Sequence, residues 1–200
     1  ISKKIIEIVD HFQWKGVVGC GFPTPFYQGR CKVGSNLHDD WIGVHVEQLF
    51  SEATGLPFKV INDADAAGMA EMAYGAGKDK PGLVVVITLG TGIGSGLFLD
   101  GKLIPNTEFG HLRYKNKPFE KYAADSVRVA EELSYKKWGK RLNKYFNRLE
   151  LIISPDTIII GGSPSKTLNK FRHHLKSKAE ILPASLMPLA DSTPELTSTA

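Results

Sequence analysis

The sequence predicts an α/β fold, in which short apolar strands alternate with amphipathic helices. The clearest strand is the apolar run Leu83–Leu89, and residues 157–160 form a second run of the same kind. Between these strands, apolar residues recur at helical spacing over residues 135–153. Alternation of strands and helices indicates an α/β architecture. The stripe expected to face the core in the helix over 135–153 is Trp138, Leu142, Tyr145, Leu149 and Ile152.

The other elements follow from the same patterns of periodicity and turn residues. Further helices are predicted over 1–14, 41–54, 66–74 and 119–133, and after Gly162. Further strands are predicted over 16–22, 58–61, 97–99 and 102–104. Residues 26–40 are loop-like, residues 90–96 form a glycine-rich turn, and the Ser/Thr-rich tail over 190–200 is expected to be disordered.

Composition and charge exclude several classes of protein. The 200 residues are 42% hydrophobic and 23% charged, which rules out a disordered, collagenous or disulfide-rich chain. No apolar run approaches the ~18–20 residues that span a bilayer, and no signal peptide is visible, so we expect a cytoplasmic protein without a membrane partner. Cys20 and Cys31 form no C-x-x-C pair and are expected to be buried thiols. The net charge of +4 permits a polyanionic partner without requiring one, and we expect no nucleic acid.

The glycine-rich turn is the first candidate site. It has the spacing G-x-G-x-G-x-G over residues 90–96 and is followed by a strand. This spacing fits neither a dinucleotide fingerprint nor a Walker P-loop. Its backbone N–H groups can nevertheless surround one anion, with the hydroxyls of Thr88 and Thr91 as further donors. The alternative interpretation is a plain flexible hairpin.

The second candidate is the run Asn62-Asp63-Ala64-Asp65 at the end of a strand. Ligands of open α/β sheets bind beyond the carboxyl ends of strands, and a carboxylate there can take a proton from a substrate hydroxyl. The alternative is a helix N-cap, which Asp and Asn both serve well. Asp65 adjoins the predicted helix and is expected to be the cap, which leaves Asp63 to face the substrate.

Two further motifs carry polar or glycine residues. In Glu108-Phe109-Gly110-His111, the carboxylate and the imidazole can grip neighbouring hydroxyls of a sugar, although a lone histidine is more often structural. Gly161 and Gly162 end a strand before a predicted helix, where a phosphate can meet the helix N-terminus.

These motifs, in this order, resemble those of the ROK sugar kinases. The resemblance rests on residues 60–68, 88–95 and 104–111, and Ser154-Pro155-Asp156 before residues 159–162 agrees with it. Within that family the sequence is most similar to the glucokinases that use polyphosphate. The resemblance implies an actin-like (RNase H-like) fold of two lobes, a small one over residues 1–63 and a large one over 64–189. It also implies a homodimer for the full-length protein.

The resemblance also implies a reaction and a set of site residues. The reaction is phosphorylation of the 6-hydroxyl of glucose by polyphosphate, ATP or both, with Mg²⁺ on the donor. Asp63 is similar to the catalytic base of the family. The implied glucose ligands are Asn62, Glu108 and His111, with Asn36 and Glu120 as weaker candidates. The implied donor ligands are Thr88, Gly90, Thr91, Gly92, Gly161 and Gly162.

The sequence also departs from the family pattern. Many members carry a cysteine cluster that binds zinc after the E-x-G-H motif, and residues 111–128 contain no Cys, so we expect no zinc and no metal-binding side chains. Pro23-Thr24 stands where the family usually has Pro-Gly. The opening strand of the family and its Asp-x-Gly-Gly phosphate hairpin are not visible, and are expected to lie before Ile1.

Three alternatives remain open from the sequence. ROK repressors are non-catalytic sugar-binding regulators of the same fold, but they carry a helix-turn-helix and usually the zinc cluster, which this sequence does not show. Another hexose, such as fructose or an N-acetylated sugar, is the second alternative. The third concerns the donor, because a long polyanion needs a basic groove. There are two candidate basic patches, and the alternative interpretation of each is an ordinary solvated surface. The first is Lys115, Lys117 and Lys121, and the second is Lys136, Lys137, Lys140, Arg141 and Lys144.

Overall fold

The computed structural model describes residues 1–32 and 37–186. It divides into two units, Ile1–Ala66 and Ala67–Ala200. The lobe boundaries expected from the sequence, 1–63 and 64–189, stay a prediction. Asn36 and the tail over 190–200 lie outside the described residues.

The first unit is built on two parallel strands, β1 (Val18–Phe22) and β4 (Phe58–Asn62), which pair in register so that Phe22 lies beside Asn62. Aromatic rings fill its core: Phe22 and Phe58 each contact the fully buried Phe50. The remaining elements of this unit are α1 (Ser2–His11), β2 (Phe26–Tyr27), β3 (Arg30–Cys31) and α2 (Val46–Thr54).

The second unit contains a five-stranded sheet with the strand order β11-β10-β5-β6-β7. β11 and β10 run parallel to β5, whereas β6 and β7 are antiparallel to their neighbours. The strands are β5 (Leu83–Leu89), β6 (Ile93–Leu99), β7 (Lys102–Ile104), β10 (Thr157–Gly161) and β11 (Glu180–Pro183).

Helices cover both faces of this sheet. On one face, α6 (Tyr135–Ile153) buries Trp138, Leu142, Tyr145 and Leu149 against strand residues such as Ile87 and Ile158. On the other face, α3 (Asp63–Tyr74) brings Met72 against Val86 and Ile159. The smaller elements are β8 (Arg113–Tyr114), β9 (Lys117–Pro118), α4 (Glu120–Ala123) and α5 (Asp125–Ala130), together with 3₁₀ turns over 109–111, 163–170 and 172–174.

Several expected elements differ from the observed ones. The helix expected over 119–133 is broken at Ala124, which is extended and separates α4 from α5. Residues 93–96 belong to β6 rather than to a turn, because β6 pairs with β5 from Ile93 onward. Ile152 is 51% exposed, and the next residue, Ile153, packs against the core in its place.

The observed bounds of other helices and strands also differ from the predicted bounds. α1 ends at His11 and α2 begins only at Val46, where the Nδ1 of His45 accepts the N–H of Gln48 and caps the helix. A short hairpin of β2 and β3 lies in the segment that was expected to be loop. After Gly162 the chain forms a 3₁₀ turn with a kink at Thr167, and β11 had not been expected.

No helix in residues 1–32 or 37–186 is long and apolar enough to cross a membrane. Cys31 is buried, Cys20 is half-buried and neither forms a disulfide. Burial raises the pKa of both thiols above its ordinary value.

Glu71 joins α3 to the segment after β11. Its fully buried carboxylate accepts the backbone N–H groups of Ala76 (2.9 Å), Ser185 (3.1 Å) and Leu186 (2.6 Å), and the hydroxyl of Ser185 (3.4 Å). These donors use both carboxylate oxygens. A buried carboxylate with this many donors is stable only while every bond is made.

Replacing Glu71 with Gln should therefore destabilise the fold although the shape of the side chain is kept. The amide nitrogen would face at least one backbone N–H, so we expect the free energy of unfolding to fall by about 2–4 kcal/mol. Urea denaturation measures this loss. The exposed Glu52→Gln is the control and should change stability by less than about 0.5 kcal/mol. Equal stability of both variants would contradict the role of Glu71.

Candidate active site

In the first unit, Asn62 and Asp63 lie where β4 passes into α3. Asn62 is 5% exposed, and its Oδ1 accepts the N–H groups of Ala64 (2.9 Å) and Asp65 (3.1 Å). These bonds make Asn62 the N-cap of α3. The expectation that Asp65 is the cap was wrong, because the helix begins at Asp63 and Asp65 is fully buried within its first turn.

Asp63 is the first residue of α3 and is open to solvent. Its Oδ1 accepts the N–H of Ala64 at 2.8 Å, which fixes the carboxylate. Although water reaches the residue, the protein around it removes part of the hydration of the carboxylate. This desolvation raises the pKa of Asp63 above its ordinary value, and the backbone N–H groups of Ala64 and Asp63 only partly offset it. The result is an accessible carboxylate that is more basic than usual.

In the second unit, residues 90–92 connect β5 to β6 as a short turn. The N–H of Gly90 donates to the carbonyl of Gly92 (3.1 Å), and Ser126 donates its N–H to the carbonyl of Gly90 (3.0 Å) and its hydroxyl to that of Thr91 (2.7 Å). The N–H groups of Thr91 and Gly92 donate to no acceptor within residues 1–32 and 37–186. The turn is thus held in place on its carbonyl side, while two donors remain available.

Gly161 and Gly162 lie beside this turn. Gly161 pairs with Thr88 in the parallel register of β10 and β5. Gly162 has φ +80°, and a Cβ there would overlap the carbonyl oxygen of Leu89. Both glycine motifs expected to hold the donor therefore meet at the carboxyl ends of two neighbouring strands.

The Glu108–His111 segment is attached to β6 by Ser95. The buried hydroxyl of Ser95 donates to the carbonyl of Thr107 (2.7 Å) and accepts the N–H of Phe109 (3.0 Å). Gly110 packs so closely that a Cβ would overlap the carbonyl oxygen of Ile93. The role of Ser95 could not be predicted from the sequence, because a buried serine inside a glycine-rich run gives no signal of its own.

Glu120 links this segment to the glycine turn. Its Oε1 lies 3.9 Å from Nε2 of His111 and 3.5 Å from Nζ of Lys121. Its Oε2 would lie 2.6 Å from a Cβ placed on Gly92. The structure therefore brings His111, Glu120 and Gly92 together, and Glu108 directly precedes the 3₁₀ turn that contains His111. Within the described residues, no three His, Cys, Asp or Glu side chains cluster as a metal site.

The ROK family model matches residues 1–120 of the chain, and these residues include Asp63, Gly90–Gly92, Glu108, His111 and Glu120. A polyphosphate glucokinase of Mycobacterium tuberculosis is 40% identical over 191 residues, which are 95% of this chain and 72% of that protein. This chain belongs to the ROK family.

Solved structures agree with this assignment. The inorganic polyphosphate/ATP-glucomannokinase of Arthrobacter sp. strain KM is 36% identical to this ROK protein, with a TM-score of 0.86 over 92% of this chain and 76% of that one. A ROK glucokinase of Streptomyces griseus, solved with glucose and AMPPNP, has a TM-score of 0.78 at 21% identity, over 93% of this chain and 83% of that one. These similarities confirm the actin-like α/β fold of the ROK sugar kinases.

Replacement by alanine should lower the stability of this ROK protein at one glycine motif and leave it nearly unchanged at the other. Gly162→Ala places a Cβ against the backbone of Leu89 at a positive φ, and should lower the free energy of unfolding by about 1–3 kcal/mol. Gly90→Ala has no atom within 4 Å of the new Cβ and should be nearly neutral. Thermal or urea unfolding of the two variants checks this, and similar losses in both would contradict the packing described.

Proposed function

We propose that this ROK protein is a glucokinase that transfers a phosphoryl group from inorganic polyphosphate to the 6-hydroxyl of glucose. The observation that carries the proposal is the 40% identity to a polyphosphate glucokinase over 95% of the chain. ATP is proposed as a second donor, because the Arthrobacter structure is of a polyphosphate/ATP enzyme. Production of glucose 6-phosphate by the intact protein, with each donor separately, is the direct assay.

Asp63 is proposed as the general base. The oxygen Oδ1 is fixed by the N–H of Ala64, and no side chain of the described residues donates to the other oxygen, Oδ2. Oδ2 would accept the proton of the 6-hydroxyl while that oxygen attacks the terminal phosphorus in line. The bond between the terminal phosphorus and the bridging oxygen of the donor breaks as the new one forms. A raised pKa suits this role, because a more basic carboxylate takes the proton more readily.

The sugar is proposed to bind Asn62, Glu108, His111 and Glu120, with Asn36 as a further candidate outside the described residues. The Oδ1 of Asn62 is used by the helix cap, so its amide Nδ2 would donate to a sugar hydroxyl. The carboxylates of Glu108 and Glu120 would accept from hydroxyls. The position of Glu120 between His111 and the glycine turn is the most direct support for this set of sugar ligands.

The donor phosphates are proposed to bind the glycine motifs. The N–H groups of Thr91 and Gly92, the hydroxyl of Thr88 and the backbone at Gly161 and Gly162 surround one corner of the sheet. Mg²⁺ is proposed to accompany the donor and to neutralise its charge. It is commonly bound through phosphates, water and one or two carboxylates. The described residues do not form a cage of three ligands, so its ligands would be mainly phosphate oxygens and water.

Two alternatives bear on the sugar and on catalysis. Mannose is a second candidate sugar, because the Arthrobacter structure is of a glucomannokinase. A non-catalytic regulator is disfavoured by the kinase relatives and by the accessible carboxylate of Asp63.

A homodimer and a cytoplasmic location are also proposed. Light scattering on the intact protein tests the first, and cell fractionation tests the second.

Asp63→Asn should remove most of the turnover and leave the sugar site intact. A general base contributes roughly 10²–10⁴-fold to rate, so kcat should fall by about that factor. The Kd of glucose, measured by calorimetry, should change less than about twofold. α3 should persist because Asn62 is its cap. The control is Asp79→Asn, at an exposed position with φ +60°, which Asn tolerates. A parallel loss of glucose binding would make Asp63 a sugar ligand instead.

The pH dependence should report the same carboxyl. The folded-state pKa of Asp63 lies above its ordinary 3.8, so kcat/KM should rise with pH as the base ionises. Folding stability should move the opposite way, because a raised folded-state pKa means that stability is lost as pH rises through it. Asp63→Asn should lack both effects and be more stable than the wild type at neutral pH. An acidic limb of kcat/KM that survives in this variant would assign it to another group.

A further inference from the structure

The solvent face of α6 carries an uninterrupted row of cations. Lys136, Lys140, Lys144 and Arg148 are exposed and stand four residues apart, so they form a line about 18 Å long. We call these four residues the basic ridge. The sequence between Tyr135 and Leu149 contains no acidic residue. Like charges at this spacing destabilise a helix, so the ridge costs stability.

Nearby contacts leave most of this charge uncompensated. In the described part of the chain, the acidic partner of a basic residue on α6 is Glu131, which lies 2.6 Å from the neighbouring Arg141. The ammonium group of Lys144 donates to the hydroxyls of Tyr114 (3.2 Å) and Tyr122 (3.5 Å) and not to a carboxylate. These bonds fix the position of the charge and raise the pKa of Lys144, so it stays protonated.

The surroundings add to the positive field. The β8–β9 hairpin contributes Lys115 and Lys117, and Nζ of Lys115 lies 5.9 Å from the centre of the Tyr114 ring that also contacts Lys144. At the other end, partial burial and then repulsion by His173, Lys136 and Lys140 lower the pKa of His174. Further positive charge therefore lies beside Lys144, and the cations Lys136 and Lys140 act on His174.

The ridge is also attached to the element that carries Glu120. α4 begins at Glu120 and is bound to α6 by three bonds: Trp138 Nε1 to the carbonyl of Ala123 (2.9 Å), Arg141 to the carbonyl of Tyr122 (3.1 Å) and Lys144 to the hydroxyl of Tyr122. Lys121, next to Glu120, is 64% exposed. A chain of phosphates leaving the glycine turn past Glu120 would thus meet Lys121, whose Nζ lies 3.5 Å from Oε1 of Glu120, and then the ridge.

We propose that the basic ridge, with Lys115, Lys117 and Lys121, is a docking track for the distal phosphates of a long polyphosphate chain. This inference rests on the proposed function and names the surface that selects for donor length. Only the terminal phosphate reacts, so the track adds affinity for long chains without taking part in chemistry. Its contribution comes from release of counterions, as with other polyanions.

The aromatic side chains beside the ridge favour polyphosphate over nucleic acid. Binding of single strands generally depends on bases that stack on free rings. Here Tyr114 stacks on Tyr122 at 4.3 Å and on Phe119 at 4.9 Å, and the guanidinium of Arg141 lies 4.7 Å from the centre of the Tyr122 ring. These three rings stack on one another and on Arg141 and are not free for a base, whereas the lysines beside them are exposed to an anionic chain.

The test compares two variants of the intact protein with the same loss of charge. The ridge variant carries Lys136→Gln, Lys140→Gln, Lys144→Gln and Arg148→Gln. The control carries Lys3→Gln, Lys78→Gln, Lys102→Gln and Lys166→Gln, which are exposed and lie off α6 and the hairpin. Gln is a good helix former, and loss of like-charge repulsion should keep α6 folded, which circular dichroism verifies.

Binding of a labelled polyphosphate of about a hundred units is measured first, because it does not depend on turnover. The ridge variant should bind at least about tenfold more weakly at low salt. The slope of log K against log salt should shrink by roughly 3, since each lost contact contributes about 0.7–0.9. The control should stay within about twofold. Equal weakening in both variants, or in neither, overturns the proposal.

Kinetics then separate the track from the reaction itself. In the ridge variant, KM for long polyphosphate should rise about tenfold at an unchanged kcat, while KM for tripolyphosphate, ATP and glucose should stay within twofold. A wild-type protein that makes no glucose 6-phosphate with any donor overturns the proposed function. The docking track is still tested in that case, because polyphosphate binding by the ridge variant and the control variant is compared without turnover. Single-stranded RNA that competes as well as polyphosphate, and loses affinity equally in the ridge variant, overturns the choice of polyphosphate.

Discussion

The candidate site of the second unit depends on two places where backbone meets backbone with no room for a side chain. Gly110 lies against the carbonyl of Ile93, and Gly162 lies against the carbonyl of Leu89. Both carbonyls belong to residues at the same end of the sheet, where β5 passes through the glycine turn into β6. The Glu108–His111 segment and the second glycine motif are thus both packed against the end of the β5–β6 pair. Any widening of either contact would move the polar groups that are proposed to bind the sugar and the donor phosphate.

Asp63 illustrates a different constraint, the conflict between reactivity and stability. A carboxylate at the start of a helix is normally favoured by the helix dipole and by the N–H groups of the first turn. Desolvation outweighs that benefit here and raises the pKa of Asp63. The protein therefore holds a charged group in an environment that favours its neutral form. The role proposed for Asp63 would account for this cost in stability, because proteins keep only as much stability as they need.

Much of the fold could be predicted from the sequence, because local periodicity decides most of it. The strand over 83–89 and the helix over 135–153 were predicted at their observed bounds, since each buries one continuous pattern. The break at Ala124 and strand β11 were not predicted, because contacts with distant residues decide them. Trp138 holds the carbonyl of Ala123, and β11 exists only by pairing with β10. The helix cap was misassigned because Asn and Asp are equally good caps, and only the three-dimensional path of β4 selects Asn62.

The motifs of the site were found from residue types and spacing, but not the residues that hold them. Ser95 and Ser126 fix two of the motifs through buried or carbonyl-directed bonds, and a serine in sequence gives no indication of such a role. Glu120 was only a weak candidate, because nothing in the sequence relates it to Gly92, 28 positions earlier. The structure places its carboxylate between His111 and Gly92.

The carboxylate of Glu71 also has a consequence for how the protein is made. Its partners Ser185 and Leu186 follow it by 114 and 115 residues, so the bonds that satisfy it form only after β11 has left the ribosome. The pairing of the central strand β5 with β10 likewise cannot form until β10 has been synthesised. Pairings this distant in sequence close late and slowly. In a nascent chain interrupted before Ser185, the carboxylate of Glu71 would therefore lack hydrogen-bond donors that it has in the complete fold. The second unit would not close around it, and quality-control proteases would encounter an incompletely folded domain.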